Sequence, residues 1–94
     1  MSETFNAPFD FEIALRLLKG GKRVGRLEWK NALYVFLVAG SEFEVNRAPL
    51  NQFFSEGTKV TYRSHIDMCG ADDTIGTWAP SMVDLLATDW QVFE

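Results

Sequence analysis

Polar and aromatic residues with nucleotide-binding chemistry recur where predicted strands end. A guanidinium group offers phosphate oxygens a planar pair of donors, and a tryptophan face can stack on a purine base. Asn and Asp side chains can bind ribose hydroxyls. Together these are the parts of a nucleotide pocket without a catalytic apparatus. The alternative is that the Trp residues fill the core and the Arg residues pair with surplus carboxylates, and residue types alone do not favour the pocket over it. The strand-end residues are Arg26, Trp29, Asn31, Asn46, Arg47, Thr77 and Trp78.

A second polar group alternates along one predicted strand, where His65, Asp67 and Cys69 project from the same side. These are metal-ligand types, but metal motifs usually draw ligands from separate elements, and the sequence has no other His or Cys. His65 and Cys69 are too far apart on a strand for His65 to activate the thiol readily. We therefore predict no metal site and no catalytic residue, and a polar face that meets solvent, a ligand or another subunit.

The composition is that of one small globular domain, with 94 residues of which 47% are hydrophobic and 23% charged. We predict a single domain over residues 1–94, with a flexible N-terminus at residues 1–8. The formal net charge of −4 argues against binding to DNA or RNA polymers or to an anionic membrane. It leaves room for a small anionic ligand held by a few local arginines.

Cysteine content and apolar segments predict the compartment. Cys69 is the single cysteine, so no internal disulfide can form and a reducing cytosol is the simplest setting. The sequence begins without the basic and apolar regions of a secretory signal. The longest apolar run, Ala32 to Ala39, is far too short to span a bilayer. These features predict a small soluble intracellular protein.

An amphipathic helix is predicted over the stretch FDFEIALRLLKGG. Asp10 is suited to the N-cap, and Gly20-Gly21 is suited to ending the helix after Lys19. Apolar residues recur at a spacing of four, beginning at Phe9, and give the helix one apolar face.

Several strands are predicted after this helix. The uniformly apolar segment 32–38 predicts a central strand buried on both faces, and Gly40-Ser41 predicts a hairpin into the next strand. A single strand over 59–68 is indicated by its alternation. The remaining predicted elements are strands at 22–29, 74–78 and 89–93 and a short helical turn after Pro80. The predicted fold class is α+β, a mostly antiparallel sheet with one long helix on one face.

Self-association is predicted from packing. The strand at 32–38 requires both faces to be covered, yet only one substantial helix is predicted. A second copy of the chain is the simplest source of another layer, so we expect a homo-oligomer.

The chain resembles the second Thoeris anti-defence family of small phage proteins, over about residues 9–93. The most specific pieces are Val45-Asn46-Arg47-x-Pro49-Leu50, His65-Ile66-Asp67-Met68 and Leu86-Ala87-x-Asp89-Trp90. The resemblance implies a protein without enzymatic activity that binds a cyclic ADP-ribose isomer, leaves it intact and prevents it from activating a host effector. Some relatives also sequester other cyclic nucleotides. It further implies a homotetramer with ligand pockets between subunits, acting without a cofactor in the host bacterial cytoplasm.

Under this resemblance, ligand roles are assigned to most of the polar residues. Trp29 or Trp78 would stack on adenine, and Arg26 and Arg47 would neutralise the diphosphate. Trp90, Leu85 and Leu86 are assigned to the core, with Asp89 capping or pairing structurally. The full predicted set is Arg26, Trp29, Asn31, Asn46, Arg47, His65, Asp67, Asp73, Thr77 and Trp78.

Two other functions remain as alternatives. One is a small phosphodiesterase that degrades such signals, against which the lack of a convincing metal set or base–nucleophile pair counts. The other is a protein–protein inhibitor module, which a large exposed apolar patch beyond the oligomer interface would favour.

Overall fold

The computed structural model describes residues 8–93 of the chain. The predicted flexible segment 1–8 lies outside these residues except for Pro8. The seven strands form a five-stranded antiparallel sheet, in the order β6-β5-β2-β1-β7, and a separate β3-β4 pair. The elements are α1 (Phe11–Lys19), β1 (Val24–Arg26), β2 (Ala32–Val38), β3 (Ser41–Glu44), a 3₁₀ helix (Leu50–Gln52), β4 (Lys59–Tyr62), β5 (His65–Gly70), β6 (Ile75–Thr77), α2 (Met82–Leu86) and β7 (Trp90–Val92).

The predicted N-terminal helix is confirmed as α1, together with its caps. The Asp10 carboxylate accepts a hydrogen bond from the backbone N–H of Ile13, which satisfies one of the free donors at the helix start. The chain then leaves the helix at Gly20 and Gly21, and Gly21 has a φ of 89° that glycine adopts without strain. Ala14 and Leu18 are fully buried on the face that meets the sheet.

The core lies between α1 and one face of the five-stranded sheet. Its largest member is Trp90, which is fully buried at the start of β7 as predicted. Trp90 also exchanges two backbone hydrogen bonds with Phe9, at 2.9 and 3.0 Å, so the chain just before α1 is attached to the edge strand. The residues of this core are Phe9, Ala14, Leu18, Val24, Val35, Trp78 and Trp90.

A two-stranded extension, which we call the arm (residues 39–64), projects from the middle of the sheet. The predicted hairpin between the segment 32–38 and the next strand is wrong, because β3 pairs with β4 rather than with β2. The predicted single strand 59–68 is likewise divided, at Arg63-Ser64, into β4 in the arm and β5 in the sheet. The described chain is consequently elongated, with extents of 50 × 30 × 23 Å.

Gly40 lies at the joint between the sheet and the arm. Its backbone N–H donates a hydrogen bond of 3.0 Å to the Ser64 hydroxyl, where the ladder between the two strands is interrupted. A Cβ atom at Gly40 would clash with the backbone carbonyl oxygen of Tyr62. Glycine is therefore required here by close approach of the opposite strand, and not by a hairpin turn.

Strand β2 is central to the sheet, but the prediction that both of its faces are buried is wrong for the single chain. Val35 is fully buried beneath α1, whereas Leu33 and Leu37 at the ends of the same face remain 37% exposed. On the opposite face no helix covers the strand in the described part of the chain. We call that surface the open sheet face; it carries Tyr34, Phe36, Val38, His65, Asp67, Cys69, Thr77 and Phe93.

Helix α2 begins with a capping box in which Ser81 and Asp84 exchange hydrogen bonds of 3.1 Å. The assignment of Leu85 and Leu86 to the core is wrong, since they are 40% and 73% exposed. Met82 and Val83 are also exposed, so α2 presents an apolar outer surface.

The predicted fold class is confirmed at the level of one small α+β domain with a mostly antiparallel sheet and one main helix. Within residues 8–93, no helix has the length and apolar character needed to cross a bilayer.

The unequal burial of two leucines gives a direct test of this packing. We expect Leu18→Ala to lower the free energy of unfolding by about 2–5 kcal/mol, because it leaves a cavity in the core. Leu27→Ala, whose side chain is 57% exposed, should cost less than about 1 kcal/mol, and urea denaturation measures both. An equal cost for the two variants would contradict this description of the core.

Candidate functional site

The residues predicted to bind a ligand fall in four separate places within one chain. Arg26, Trp29 and Trp78 lie on the helix side of the sheet, and His65, Asp67 and Thr77 lie on the open sheet face. Asn31 and Asp73 lie at the turn after β5, and Asn46 and Arg47 lie on the arm. One chain therefore does not bring these ten residues into one pocket, and the binding role of each stays a prediction.

Arg26 is held by three carboxylates. Its Nε donates to Asp89 at 2.8 Å, and its two terminal nitrogens donate to Asp84 at 2.9 Å and to Glu28 at 3.1 Å. Only 8% of its side chain is exposed. The arrangement joins β1 to α2 and to the segment before β7, so the guanidinium stabilises the fold and has few donors left for a phosphate.

The same contacts change the acidity of the two aspartates. Partial burial alone would raise the pKa of Asp89, but hydrogen bonds from Arg26 and from the backbone N–H of Glu28 outweigh it and lower the pKa. Burial also opposes ionisation of Asp84, yet bonds from the Ser81 N–H and Arg26 lower its pKa too. The predicted structural role of Asp89 is thus confirmed.

Trp29 and Trp78 belong to an aromatic cluster around Trp90. Trp29 meets Trp90 at 5.2 Å between ring centroids and Trp78 at 6.2 Å, both edge-on. Phe11 of α1 packs on Trp90 from the helix side, also at 5.2 Å. Trp78 is only 8% exposed, and such edge-on pairs add stability beyond the apolar area they bury. This geometry is that of a core, in which both rings pack against other aromatic rings.

Polar residues of the open sheet face make contacts within β5. The Nε2 atom of His65 lies 3.4 Å from a carboxylate oxygen of Asp67, and its Nδ1 atom lies 3.2 Å from the carbonyl oxygen of Arg63. Asp67 is paired in register with Thr77 on β6. Beside these polar residues lie the rings of Tyr34 and Phe93, 4.8 Å apart, with the Arg23 guanidinium 4.7 Å from the Tyr34 ring centre.

Asp73 lies in the turn after β5, and Asn31, the residue before β2, lies beside this turn. The carbonyl oxygen of Asn31 accepts from the N–H of Ala71 at 2.9 Å, while Asp73 has a φ of 66°. Asp72 accepts bonds from the hydroxyl and the N–H of Thr74, which lower the pKa of Asp72. These contacts order the turn, and the side chains of Asn31 and Asp73 are exposed.

A concave pocket of about 740 Å³ lies on the arm, within the size range of small-molecule sites. We call it the arm pocket. Strand residues from β3 and β4 contribute one part of its surface, and the segment that follows β3 contributes another. It is lined by Ser41, Phe43, Glu44, Asn46, Arg47, Ala48, Pro49, Leu50 and Tyr62.

Backbone hydrogen bonds hold the segment that carries Arg47. The carbonyl oxygen of Arg47 accepts from the N–H of Asn51 at 3.2 Å, and that of Leu50 accepts from Phe54 at 2.9 Å. The Ala48–Pro49 peptide bond is cis. Val45, only 1% exposed, anchors the start of this segment and exchanges backbone bonds with Gly57 and Thr58 at 2.9 Å. The pocket wall is therefore ordered by its own backbone.

Arg47 differs from Arg26 in its electrostatic surroundings. Within residues 8–93, the Arg47 guanidinium makes no ion pair and no hydrogen bond. The same holds, over that range, for the side chains of Asn46, Ser41 and Tyr62. The arm pocket thus combines an unpaired cation, the carboxylate of Glu44, an amide and two hydroxyls with aromatic and aliphatic surface. Arg47 and the aromatic surface suit a ligand that has both a flat apolar part and a negative charge.

Of the nine residues that line the arm pocket, only Asn46 and Arg47 were predicted as ligand-binding from the sequence, and Ser41, Phe43 and Tyr62 are among those that were not. Their alternation places Ser41 and Phe43 on one face of β3, and Tyr62 on the matching face of β4. The sequence indicates these residues only through the alternation of side chains along each strand. That alternation locates a pocket only when β3 is known to pair with β4.

A model of the Thoeris anti-defense 2-like domain matches residues 9–93. The chain belongs to this family. Membership confirms the resemblance and supports an anti-defence role. The matched range of the Thoeris anti-defense 2-like domain includes the sheet, both helices and the whole arm pocket. A search of curated proteins gives no significant match.

Across residues 8–93, no three His, Cys, Asp or Glu side chains converge as metal ligands do. Among the places described above, the arm pocket combines a concave surface with unpaired polar groups and aromatic surface.

The Arg26 ion pairs predict an acid-dependent stability. Because the folded pKa of Asp89 lies below its unfolded value of about 3.9, the stabilisation is complete above that value and is lost as the pH falls through the folded pKa. We expect Asp89→Asn to lower the free energy of unfolding at pH 7 by about 2 kcal/mol. The deficit should shrink as the pH falls below about 4.

Urea denaturation between pH 2.5 and 7 measures this effect, with Asp73→Asn as the control. Asp73 is exposed and its side chain has no bond within the described chain, so removing its charge should change stability little. A deficit for Asp89→Asn that is the same at every pH would contradict the role of the ion pair.

Proposed function

We propose that the chain binds a cyclic ADP-ribose isomer, or another cyclic nucleotide, and sequesters it without cleaving it. In this role it is a phage protein acting in the host bacterial cytoplasm, where it keeps an immune signal from its effector. Family membership supports the anti-defence role. The observation that carries the ligand assignment is Arg47, an unpaired arginine in a pocket that also holds aromatic surface.

The chemistry of the arm pocket suits binding better than turnover. Arg47 can hold phosphate oxygens through two parallel hydrogen bonds, and Asn46 can bind a ribose hydroxyl. A sponge requires affinity rather than a reactive group, and dissociation constants from micromolar to nanomolar correspond to about −8 to −12 kcal/mol. An ordered pocket wall supports such affinity, because less conformational freedom is lost on binding.

We further propose that the chain forms a homotetramer. The open sheet face carries the half-buried aromatic residues Tyr34, Phe36 and Phe93, and the outer surface of α2 exposes Met82, Val83 and Leu86 on the other side of the sheet. A closed tetramer with two-fold symmetry uses two kinds of self-complementary contact, and these two surfaces supply them. In such an assembly the residues of the open sheet face, including His65 and Asp67, come close to a second copy.

The decisive experiment for sequestration is incubation with cyclic ADP-ribose isomers, removal of unbound ligand and heat denaturation of the protein. We expect the intact molecule to be recovered in the soluble fraction, as identified by mass spectrometry. A cleaved product would establish a phosphodiesterase instead. Absence of binding to these isomers and to cyclic dinucleotides would favour a protein–protein inhibitor.

Arg47→Ala tests the assigned site, with Arg63→Ala as the matched control. Both residues are exposed arginines of the arm, but only Arg47 lines the pocket. We expect Arg47→Ala to weaken binding about 30-fold, from the loss of about 2 kcal/mol of charge-assisted hydrogen bonding, and to leave the melting temperature unchanged. Equal effects of the two substitutions in calorimetric titrations would show that the site lies elsewhere.

Phe36→Glu tests the assembly, because it places a charge in the middle of the open sheet face. We expect its mass by light scattering to fall below that of four chains, while Phe53→Glu at the exposed end of the arm leaves the mass unchanged. A wild-type protein that is monomeric at micromolar concentration would overturn the proposed tetramer.

A further inference from the structure

We infer that Tyr62 is the base-stacking residue of the arm pocket and that it determines the preference for a ligand carrying an aromatic base. The inference rests on the function proposed above, and it assigns to the arm a role that sequence reasoning gave to Trp29 or Trp78. Those two rings lie in the aromatic cluster around Trp90, on the helix side of the sheet.

The position of Tyr62 leaves its ring available. It is the last residue of β4, it lines the arm pocket, and 49% of it is exposed. Ser41 lies directly opposite it on β3, and a serine side chain is too short to cover an aromatic ring. The large aromatic surface on this part of the arm is therefore open toward the pocket.

Phe43 orients this ring without stacking on it. The two ring centroids are 5.1 Å apart and the planes are nearly perpendicular, at 83°. An edge-on neighbour restricts rotation of the Tyr62 ring, while a parallel neighbour would occupy the face that a base needs. Phe43 thus acts as a positioning residue for Tyr62.

Arg47 and Tyr62 together specify the class of ligand. The cation lies on the segment after β3, and the ring lies on β4, so that both border the same cavity of about 740 Å³. Arg47 alone would accept any phosphate, whereas the added ring favours a phosphate that is joined to a flat base. A nucleotide can contact both Arg47 and Tyr62, whereas inorganic phosphate or an aliphatic acid can contact only Arg47.

The test compares Tyr62→Leu, Tyr62→Trp, Phe53→Ala and Ser41→Phe in the full-length protein. Binding is measured by calorimetric titration with cyclic ADP-ribose isomers and with cyclic di-AMP. Tyr62→Leu keeps an apolar side chain but removes the ring, and we expect it to weaken binding about 5- to 150-fold. Tyr62→Trp keeps a stacking face and should retain binding within a few-fold. Phe53→Ala, an exposed aromatic residue of the arm outside the pocket, should bind as the wild type does.

Ser41→Phe provides a test that does not remove the ring. A phenylalanine opposite Tyr62 makes a favourable cross-strand pair, so the arm should fold, but the new ring covers the stacking face. We expect the same loss of binding as for Tyr62→Leu, with an unchanged or higher melting temperature.

The outcomes separate this inference from the proposed function. If the wild type binds and releases intact nucleotide, and Tyr62→Leu and Ser41→Phe bind equally well, the stacking role is wrong and sequestration stands. If the wild type binds neither probe, the stacking role of Tyr62 and the proposed sequestration are both overturned. Selective loss in these two variants, with retention in Tyr62→Trp and Phe53→Ala, supports the inference.

Discussion

The antiparallel pairing of β2 with β5 is the interaction on which the rest of the structure depends. It brings together two segments about thirty residues apart, from Ala32 opposite Gly70 to Val38 opposite His65. On one side the pairing supports β1, β7 and the helix layer, and on the other it supports β6. Because the chain continues from Val38 and arrives at His65 side by side, the same pairing also starts the arm.

Two arginines show how position decides what the same side chain does. Arg26 lies on the core side of the sheet, where burial of an unpaired charge would be costly, and three carboxylates surround it. Arg47 lies on the exposed arm, where water solvates the charge and no partner is required. The first residue holds α2 and β7 in place, and the second remains available to an anion. Among the described residues, Arg16, Arg23 and Arg63 also make no ion pair, so Arg47 is distinguished by its place in the lining of the arm pocket.

Local signals in the sequence were sufficient for the elements that local physics determines. The helix α1 follows from Asp10 and the Gly20-Gly21 pair, and β2 follows from a continuous run of strand-forming residues. The predicted hairpin at Gly40-Ser41 was wrong. Glycine is required at position 40 because the backbone carbonyl of Tyr62, distant in the sequence, approaches closely, and not because the chain turns there. Long-range pairing of this kind leaves no local signature.

The candidate site, like the fold, could be predicted from the sequence only in part. Asn46 and Arg47 stand out as polar residues after a strand, so their neighbourhood could be predicted. Tyr62 could not be placed beside them, because that requires the register between β3 and β4. Trp29 and Trp78 pack in the aromatic cluster around Trp90, and the sequence could not indicate this placement, since a tryptophan suits a ligand face and a core equally and only tertiary packing distinguishes the two.

None of the residues that line the arm pocket belongs to the buried core between α1 and the sheet. Substitutions in the pocket are therefore distant from the contacts that set global stability, and their effects on the two properties are expected to be largely independent. Under the proposed function, this separation would have an evolutionary consequence. Single substitutions in the arm would change the ligand preference, while the sheet, α1 and the aromatic cluster would continue to fold the protein.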